Sequence, residues 1–441
     1  MRLIRTIAMA ASAIGLAASG GAFAKPVASS PPASALFSAA ATRIDITPAD
    51  LTNLNPFGGG SFVAVHDPIH ARLLLLADGA TRALVVTFDV PEVGDMTPFR
   101  RRIEQETGIP FDHILLAATH NHSAPRIGGI SPGTHAQRPV AESFAYSETV
   151  YAKVLAAIKT TQAALRPARL GYARGHLDIN VNRDVYTPGK GWGLGTDPDG
   201  ISDDGLPVIR IDGADGKPIA ILFAYGVHST VTFGLKYLTD DLAGAAERHI
   251  ETYGDDGVVA MFLMGAAGEQ VPIVSLGQPR PESAAFRERA FKAMEAQGFL
   301  LGAEVLRLAQ GINPADAAVR IRAATRETAC PTKVTAGQMA TISADASPEV
   351  TVKLSALLLG DIAIGGVGGE VVTPIYRRLM RETPLMRTVF ATNVNDRIGY
   401  IVDDAAYDRP TFEVNGSPVA RGCAENAIVD GLTTLFRQLD R

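Results

Sequence analysis

The sequence is poor in aromatic residues and in cysteine. Aromatic residues make up 6% of the 441 residues, and there are one tryptophan and two cysteines. A long basic run is also missing: the formal net charge is −5 and both signs are interspersed. Nucleic acid binds to strongly basic surfaces, so we expect no nucleic-acid partner. Beyond the N-terminal segment there is no run of ~18 uncharged apolar residues, which argues against a later membrane-spanning helix.

Hydrophobic residues, glycine and proline are plentiful instead. Hydrophobic residues account for 46% of the chain, with 43 glycines and 27 prolines, which suits a loop-rich α/β enzyme better than a helical bundle. Apolar runs of strand length, such as residues 82–89, 218–226 and 257–264, alternate with segments of helical spacing, such as 148–165. This alternation predicts an α/β fold with layered, mixed β-sheets in one large domain over residues 41–441.

The N-terminal segment has the three parts of a secretory signal peptide. Two arginines lie within the first five residues, an Ala-rich apolar run follows to about residue 20, and Ala22-Phe23-Ala24 is a small-x-small cleavage pattern. We therefore expect residues 1–24 to be a signal peptide and the mature protein to be periplasmic or secreted. A membrane anchor is the alternative, but the apolar run is short for a spanning helix. Residues 25–40, rich in Pro, Ser and Ala, are predicted to be a flexible lead-in.

The predicted export of the protein bears on the two cysteines, Cys330 and Cys423. In an oxidising compartment a single pair is a plausible disulfide. The alternative is a pair of buried free thiols, which are common in protein interiors. The sequence leaves both open.

Polar motifs follow several of the predicted strands. The first is His120-Asn121-His122, directly after the apolar run that ends near residue 119. Two histidines at i and i+2 on an extended segment can point into one cleft, and imidazole is the commonest metal ligand. The alternative is a pair of hydrogen-bonded loop histidines.

The second motif surrounds His228, which follows the apolar strand 218–226. Asp240 and Asp241 come next, at the start of a predicted helix, where the ordinary role of an aspartate is to cap the helix. The small residue Gly244 allows close approach of a neighbouring element. Another histidine, His70, is interpreted as structural and near the mouth of the site.

A carboxylate completes a plausible metal-ligand set. Glu370 follows a glycine-rich strand end, GGVGG, and precedes a predicted helix. Its alternative role is compensation of the helix dipole. Two imidazoles and one carboxylate form a suitable first shell for Zn²⁺ with a position left for water or substrate, and such a centre hydrolyses amides or esters.

Five segments together resemble motifs of the neutral (non-lysosomal) ceramidases, in the same order along the chain. They are ATHNHSAP, NVNRD, FAYGVHSTVTF with LTDDLAG, GGEVVTPIYRRL and TNVNDRIGYIVDDAAYD. The resemblance extends from about residue 42 to the C-terminus. It implies a catalytic domain with two sheets flanked by helices, and an enzyme that splits ceramide into a sphingoid base and a fatty acid. We expect it to cover the catalytic domain alone, without the immunoglobulin-like C-terminal domain of characterised members.

The resemblance also implies roles for individual residues. His120, His228, Glu370 and Tyr400 match the zinc-binding residues of the family. His122 matches a histidine beside the scissile amide, and Arg183 matches an arginine that lines the same site. These last two residues and Tyr400 are therefore the predicted catalytic groups, and zinc is the predicted cofactor.

The chain departs from the family at two positions. Val271 stands where the family has a serine once proposed as nucleophile, and Phe412 replaces a second tyrosine of the site, for which the nearby Tyr407 could substitute. The predicted partner is a lipid-like N-acyl substrate, with transient contact with a membrane surface. Two alternatives stay open: a zinc amidase or esterase acting on another N-acyl lipid or acylated small molecule, and a non-catalytic periplasmic binding protein.

Overall fold

The structure is a computed structural model, and it describes residues 37–57, 59–79, 81–130, 141–275, 283–315, 318–333 and 348–441. These residues belong to one compact unit. The predicted signal peptide and most of the predicted lead-in lie outside the described residues. Within the described ranges, no helix is long and apolar enough to cross a membrane.

Strands and helices alternate along much of the chain, as the apolar pattern predicts. The strands are β1 (Phe37–Asp45), β2 (Ala64–Val65), β3 (His70–Asp78), β4 (Thr81–Phe88), β5 (Ile114–Ala118), β6 (Arg166–His176), β7 (Asn180–Thr187), β8 (Gly191–Asp197), β9 (Gly205–Gly213), β10 (Pro218–Tyr225), β11 (Tyr237–Leu238), β12 (Val259–Met264), β13 (Gln270–Pro272), β14 (Ile321–Pro331), β15 (Glu349–Leu359), β16 (Ile362–Val367), β17 (Glu370–Val371), β18 (Arg387–Ala391) and β19 (Tyr400–Ile401). The helices are α1 (Thr97–Thr107), α2 (Ala141–Ala163), α3 (Asp241–Tyr253), α4 (Ala284–Gly311), α5 (Thr373–Glu382), α6 (Phe412–Gly416) and α7 (Ala424–Leu439).

Eight strands form the larger sheet, in the order β12-β10-β9-β6-β1-β3-β4-β5. The sheet is mixed, because β4–β5 and β10–β12 run parallel while the other neighbours run antiparallel. Strand β3 shows why both faces are covered. Leu73 and Leu75 lie in the core on one face, and Leu74 and Leu76 lie in the core on the other, as the two-residue period of a strand requires.

A second sheet, in the order β14-β15-β16-β18, packs against the larger one. Leu357 and Ile364 of this sheet share a buried apolar cluster with Leu74 and Leu222 of the larger sheet. Helices cover the outer faces: α2 packs on one half of the larger sheet, α3 and α4 on its other half, and α5 and α7 on the second sheet. The prediction of an α/β fold with layered mixed sheets flanked by helices is confirmed.

Two boundaries predicted from the sequence are wrong. The lead-in was expected to reach residue 40, but β1 begins at Phe37 and pairs with β3 over nine residues. Its Ala-rich sequence has little strand propensity, so tertiary pairing determines its conformation. Helix α2 begins at Ala141, before the predicted start at residue 148, because its first turns carry polar residues without a clear apolar stripe.

The disulfide is confirmed. Cys330 at the end of β14 is bonded to Cys423 at the start of α7, and 93 residues separate the two along the chain. The bond therefore ties the edge of the second sheet to its covering helix.

Removal of this bond is expected to lower stability substantially. A cross-link that closes a loop of this length restricts the unfolded chain, so Cys330→Ser with Cys423→Ser should lower the free energy of unfolding by about 2–5 kcal/mol. Urea unfolding followed by circular dichroism measures this. As a control, a reducing agent should destabilise the parent protein and leave the double variant unaffected. An unchanged unfolding midpoint would contradict the prediction.

Candidate metal centre

Two strand ends of the larger sheet bring three histidines together. Strand β5 ends just before His120 and His122, and β10 ends just before His228. A β-bridge between Asn121 and Ser229 joins the two segments, and the backbone N–H of His122 donates to the carbonyl of Ser229 at 3.2 Å. One ring nitrogen from each of the three histidines lies within 4.8 Å of the others.

The two histidines of the first motif converge, but not for the reason predicted from the sequence. The segment is not regular extended backbone: His120 has φ +59°, in the left-handed region that residues other than glycine rarely adopt. The chain is held there by hydrogen bonds from Thr119 N–H to Phe88 and from Asn121 N–H to Val90. With this turn, the Nε2 atoms of His120 and His122 lie 3.1 Å apart.

Glu370 lies against the same histidines. It belongs to the short strand β17, which pairs with β19 and places Glu370 opposite Tyr400. Its Oε2 lies 3.2 Å from His120 Nε2 and 3.5 Å from His228 Nε2. The alternative role of compensating a helix dipole is wrong, because α5 begins only at Thr373 and has no acidic residue in its first turn.

Backbone carbonyls orient two of the imidazole rings. Nδ1 of His120 lies 2.6 Å from the carbonyl of Pro91, and Nδ1 of His228 lies 2.9 Å from the carbonyl of Gln270. A carbonyl only accepts, so these contacts assign the proton to Nδ1 in both rings. The Nε2 atoms of both rings then face the Glu370 carboxylate, and a histidine metal ligand is commonly held through its other nitrogen in this way.

Burial and neighbouring charges set the protonation of His122, His228 and Glu370. Burial lowers the pKa of His228 to about 3 and that of His122 well below its usual value, so both are neutral. Burial alone would raise the pKa of Glu370, but His120 and Arg397 bring it well below its usual value, so it is ionised. Its Oε2 has no hydrogen-bond donor among the described residues.

The cluster fits a zinc ion. Ligands about 2.1 Å from a tetrahedral Zn²⁺ lie roughly 3.4 Å from one another. The separations of 3.2 and 3.5 Å between Glu370 Oε2 and the two imidazole nitrogens are close to this value. A cation at this point would also satisfy the unpartnered carboxylate oxygen of Glu370.

Arg183 and Tyr400 form the adjoining wall. The Arg183 guanidinium donates to the carboxylate of Glu413 at 2.7 Å, to the carbonyl of Gly268 at 2.7 Å and to the Tyr400 hydroxyl at 3.1 Å. It also lies 3.5 Å from His228 Nε2. The structure therefore brings every residue of the predicted site together, while their roles as ligands and catalytic groups stay predictions.

His122 differs from the other two histidines in its surroundings. Its ring is stacked on Phe57 at 4.2 Å and meets the edge of Phe233 at 5.4 Å. Beside it lies a cavity of about 200 Å³ whose lining also includes Phe62 and Tyr237. His122 thus stands between the carboxylate-histidine cluster and an aromatic pocket.

The two departures from the family pattern lie at or next to this centre. Val271 follows Gln270, whose carbonyl holds His228, so no hydroxyl is present at that point. Phe412 lies 5.7 Å from the Tyr400 ring and 5.4 Å from the Arg183 guanidinium, with 47% of its surface exposed. Tyr407 does not replace the missing hydroxyl, because its own hydroxyl donates to the carbonyl of Val419.

The two aspartates at the start of α3 differ: Asp241 accepts from the backbone N–H of Leu242 in the first turn at 2.7 Å, as a cap is expected to do. Asp240, at the cap position, makes no capping hydrogen bond and pairs with Arg248 instead. Asp241 also accepts from the backbone N–H groups of Val231 and Thr232, in the loop that follows His228. A Cβ at Gly244 would lie 2.0 Å from the Asp240 carboxylate carbon, so the group that approaches Gly244 belongs to the cap residue of the same helix.

Sequence reasoning missed the ion pairs around Glu370. Arg397 donates to Glu370 Oε1 at 2.9 Å and also pairs with Glu92, which in turn pairs with Arg126. Arg397 lies within the polar segment before Tyr400, so its position near the site could have been predicted from that motif. Glu92 and Arg126 come from other loops, and only the tertiary structure reveals them.

Two solved structures share this architecture over most of the chain. The crystal structure of neutral ceramidase from Pseudomonas aeruginosa matches 92% of this chain with 75% of its own length, at 18% sequence identity and a TM-score of 0.71. A ceramidase complexed with C2 matches the same shares at 17% identity and a TM-score of 0.69. The chain has the neutral ceramidase fold. No family model and no curated protein matches the sequence.

The neutral ceramidase fold explains the order of the motifs along the chain. In this chain the fold brings the ends of β5 and β10 and the short β17–β19 pair to one place. The resemblance stated from five short motifs is thus confirmed at the level of the fold.

Proposed function

We propose that this protein is a zinc-dependent hydrolase that cuts the N-acyl amide of a ceramide-like lipid. One observation carries the proposal: the Nε2 atoms of His120 and His228 lie 3.2 and 3.5 Å from one oxygen of the fully buried Glu370 carboxylate. A divalent cation between these groups would neutralise the buried carboxylate and bind both nitrogens. The neutral ceramidase fold and the motif order support an amide of the ceramide type as substrate.

His120, His228 and Glu370 would hold the ion, with Tyr400 as the further ligand that the family pattern implies. When bound, Zn²⁺ would supply Lewis acidity that polarises the amide carbonyl and activates a water molecule near neutral pH. The carbonyls of Pro91 and Gln270 keep the two imidazoles in the required tautomer.

His122 is placed to donate a proton to the leaving amine. Its ring is neutral, because burial lowers its pKa well below the usual value. A neutral imidazole can accept at a ring nitrogen the proton that the attacking water releases, and pass it to the amine nitrogen as the C–N bond breaks. The stacked Phe57 ring holds it in one orientation between the cluster and the aromatic pocket.

Arg183 and Tyr400 would stabilise the negative charge that develops on the carbonyl oxygen. Burial raises the pKa of Tyr400, so the phenol keeps its proton and can donate a hydrogen bond. Arg183 orients that hydroxyl from 3.1 Å and contributes a permanent positive charge. One well-placed donor of this kind typically contributes about 3–4 kcal/mol to the stabilisation of the transition state. With Val271 in place of a serine, water is the nucleophile.

The cavity beside His122 indicates where the acyl group would bind. Its aromatic walls favour a hydrocarbon chain over a sugar. At about 200 Å³ it lies below the ~300–1,000 Å³ usual for drug-sized ligands, so a short acyl chain or the first part of a longer one fits. A cavity of this size also suits a second candidate function, that of a zinc amidase acting on another, shorter N-acyl compound. Transient contact with a membrane surface and a periplasmic or secreted location are part of the same proposal.

Metal content and hydrolysis measured together test this function. We expect the purified mature protein to carry zinc, and a short-chain fluorescent ceramide to lose its fatty acid in a reaction that chelation stops and added zinc restores. Zinc without ceramide cleavage would favour the second candidate, which a series of N-acyl substrates of increasing chain length would then resolve. A protein that binds no zinc under conditions that do not strip it would contradict the catalytic proposal and favour a binding protein.

A further inference from the structure

A second cluster of potential metal ligands lies outside the centre described above. It consists of His70 at the start of β3, Asp89 directly after β4 and Asp240 before α3. One ring nitrogen of His70 and one carboxylate oxygen of each aspartate lie within 4.8 Å of one another. Asp89 and Asp240 are fully buried, and the side chain of His70 is 12% exposed.

Two of the atoms in this cluster make no hydrogen bond among the described residues, although His70 Nδ1 lies 3.9 Å from Asp89 Oδ2. Nδ1 of His70 and Oδ1 of Asp240 are both inaccessible to solvent and make no hydrogen bond there. Leaving a buried acceptor unsatisfied costs roughly 1–3 kcal/mol, and more for a charged group. The two atoms come from segments that are distant along the chain.

The surroundings disfavour charged carboxylates, since burial raises the pKa of Asp240 and that of Glu247 well above the usual values. Arg72 pairs with Asp89 and with Glu247. The half-buried Arg248 pairs with Asp240. A buried ionised carboxylate is unfavourable unless a cation neutralises it.

We propose that His70, Asp89 and Asp240 bind a second divalent cation, of the class of Zn²⁺ or Mn²⁺. One imidazole nitrogen and two carboxylate oxygens are ligands that these ions accept, whereas the nitrogen makes the site less suitable for Ca²⁺. Arg72 contacts both oxygens of Asp89, at 3.3 and 3.0 Å, and Arg248 holds the other oxygen of Asp240. Such contacts orient carboxylates for a metal without occupying its position.

The site would stabilise the loops that support the first centre. Asp89 lies two residues before Pro91, whose carbonyl orients His120. Asp240 follows Thr239, whose carbonyl accepts from the side chain of Asn121 at 2.6 Å. A cation that joins Asp89 to Asp240 would therefore fix the two groups next to His120, which are the carbonyl of Pro91 and the side chain of Asn121. Its existence is independent of the proposed hydrolase function, and only this supporting role rests on that function.

Metal stoichiometry of the full-length mature protein tests the proposal. After dialysis of the metal-free protein against micromolar Zn²⁺, and separately Mn²⁺, elemental analysis is expected to give two ions per chain. Asp240→Asn should retain one ion, and Glu370→Gln, which disrupts the first centre, should also retain one. Glu295→Gln is the matched control, because Glu295 also pairs with Arg248 but offers no ligand atom to the cluster. It should retain two.

The Glu370→Gln protein isolates the second site. Its remaining ion is expected to raise the melting temperature, and Mn²⁺ bound there should show coupling to an imidazole nitrogen in electron spin-echo spectra. His70→Asn should abolish both signals, which provides a second variant if Asp240→Asn fails to fold. A parent protein with a single ion that Glu370→Gln loses would overturn the second site and leave the proposed function intact. A parent protein whose only ion survives Glu370→Gln would support the second site and overturn the proposed function.

Discussion

Glu370→Gln is expected to abolish hydrolysis and metal binding at the first centre, the one formed by His120, His228 and Glu370. The change keeps the size of the side chain but removes the negative charge that faces His120 and His228. A glutamine amide can also turn its NH₂ group towards the two Nε2 lone pairs and satisfy them with no metal present. We expect turnover to fall by roughly 10³-fold or more, since a metal centre contributes several kcal/mol to such a reaction.

Elemental analysis and initial rates measure this effect, and Glu92→Gln is its matched control. Glu92 is also buried and pairs with the same Arg397, at 2.9 Å, but it does not face the histidines. The control protein should keep the metal of the first centre. His120→Ala should behave like Glu370→Gln, because it removes a ligand from the opposite side of the cluster. Full metal content and full turnover in either of these two variants would show that the site is assigned wrongly.

Arg183→Lys is expected to lower kcat by about 10²–10³-fold while the metal content stays unchanged. The planar guanidinium reaches Glu413, the carbonyl of Gly268 and the Tyr400 hydroxyl at once. A lysine ammonium is a single point of charge and cannot hold all three contacts. Loss of the oriented hydroxyl removes stabilisation of the oxyanion, which acts in the transition state, so KM should change less than kcat.

The control for this change is Arg100→Lys. Arg100 is likewise buried and donates to a backbone carbonyl, that of Phe111, but it lies on α1 away from the site. We expect it to lower the melting temperature and leave kcat unchanged. Steady-state kinetics with metal analysis separates the two cases. If Arg183→Lys raised KM alone, Arg183 would be a substrate-binding residue without a part in the transition state.

Much of the fold could be predicted from local patterns. Apolar runs of strand length predict the buried strands β4, β10 and β12 because these strands are covered on both faces by other layers. The strand β1 could not be predicted in the same way. Its alanine-rich sequence becomes a strand only through its pairing with β3, a contact between distant parts of the chain.

The candidate site shows the same division between local and long-range information. The sequence by itself determined which polar motifs follow which strands, and the order of those motifs indicated the fold. It also led to Asp240 being interpreted as a helix cap and His70 as a merely structural residue. Only the tertiary structure places them with Asp89 in one buried cluster.

Tertiary structure also decided the geometry of the metal centre itself. His120 adopts a left-handed backbone that no spacing rule predicts, held by the neighbouring strand end. Glu370, far away along the chain, meets His120 through the pairing of β17 with β19. Periodicity and motifs are local properties that a single segment carries. The distances between candidate ligands, and the buried atoms without a hydrogen bond, arise from contacts between segments, and folding alone creates them.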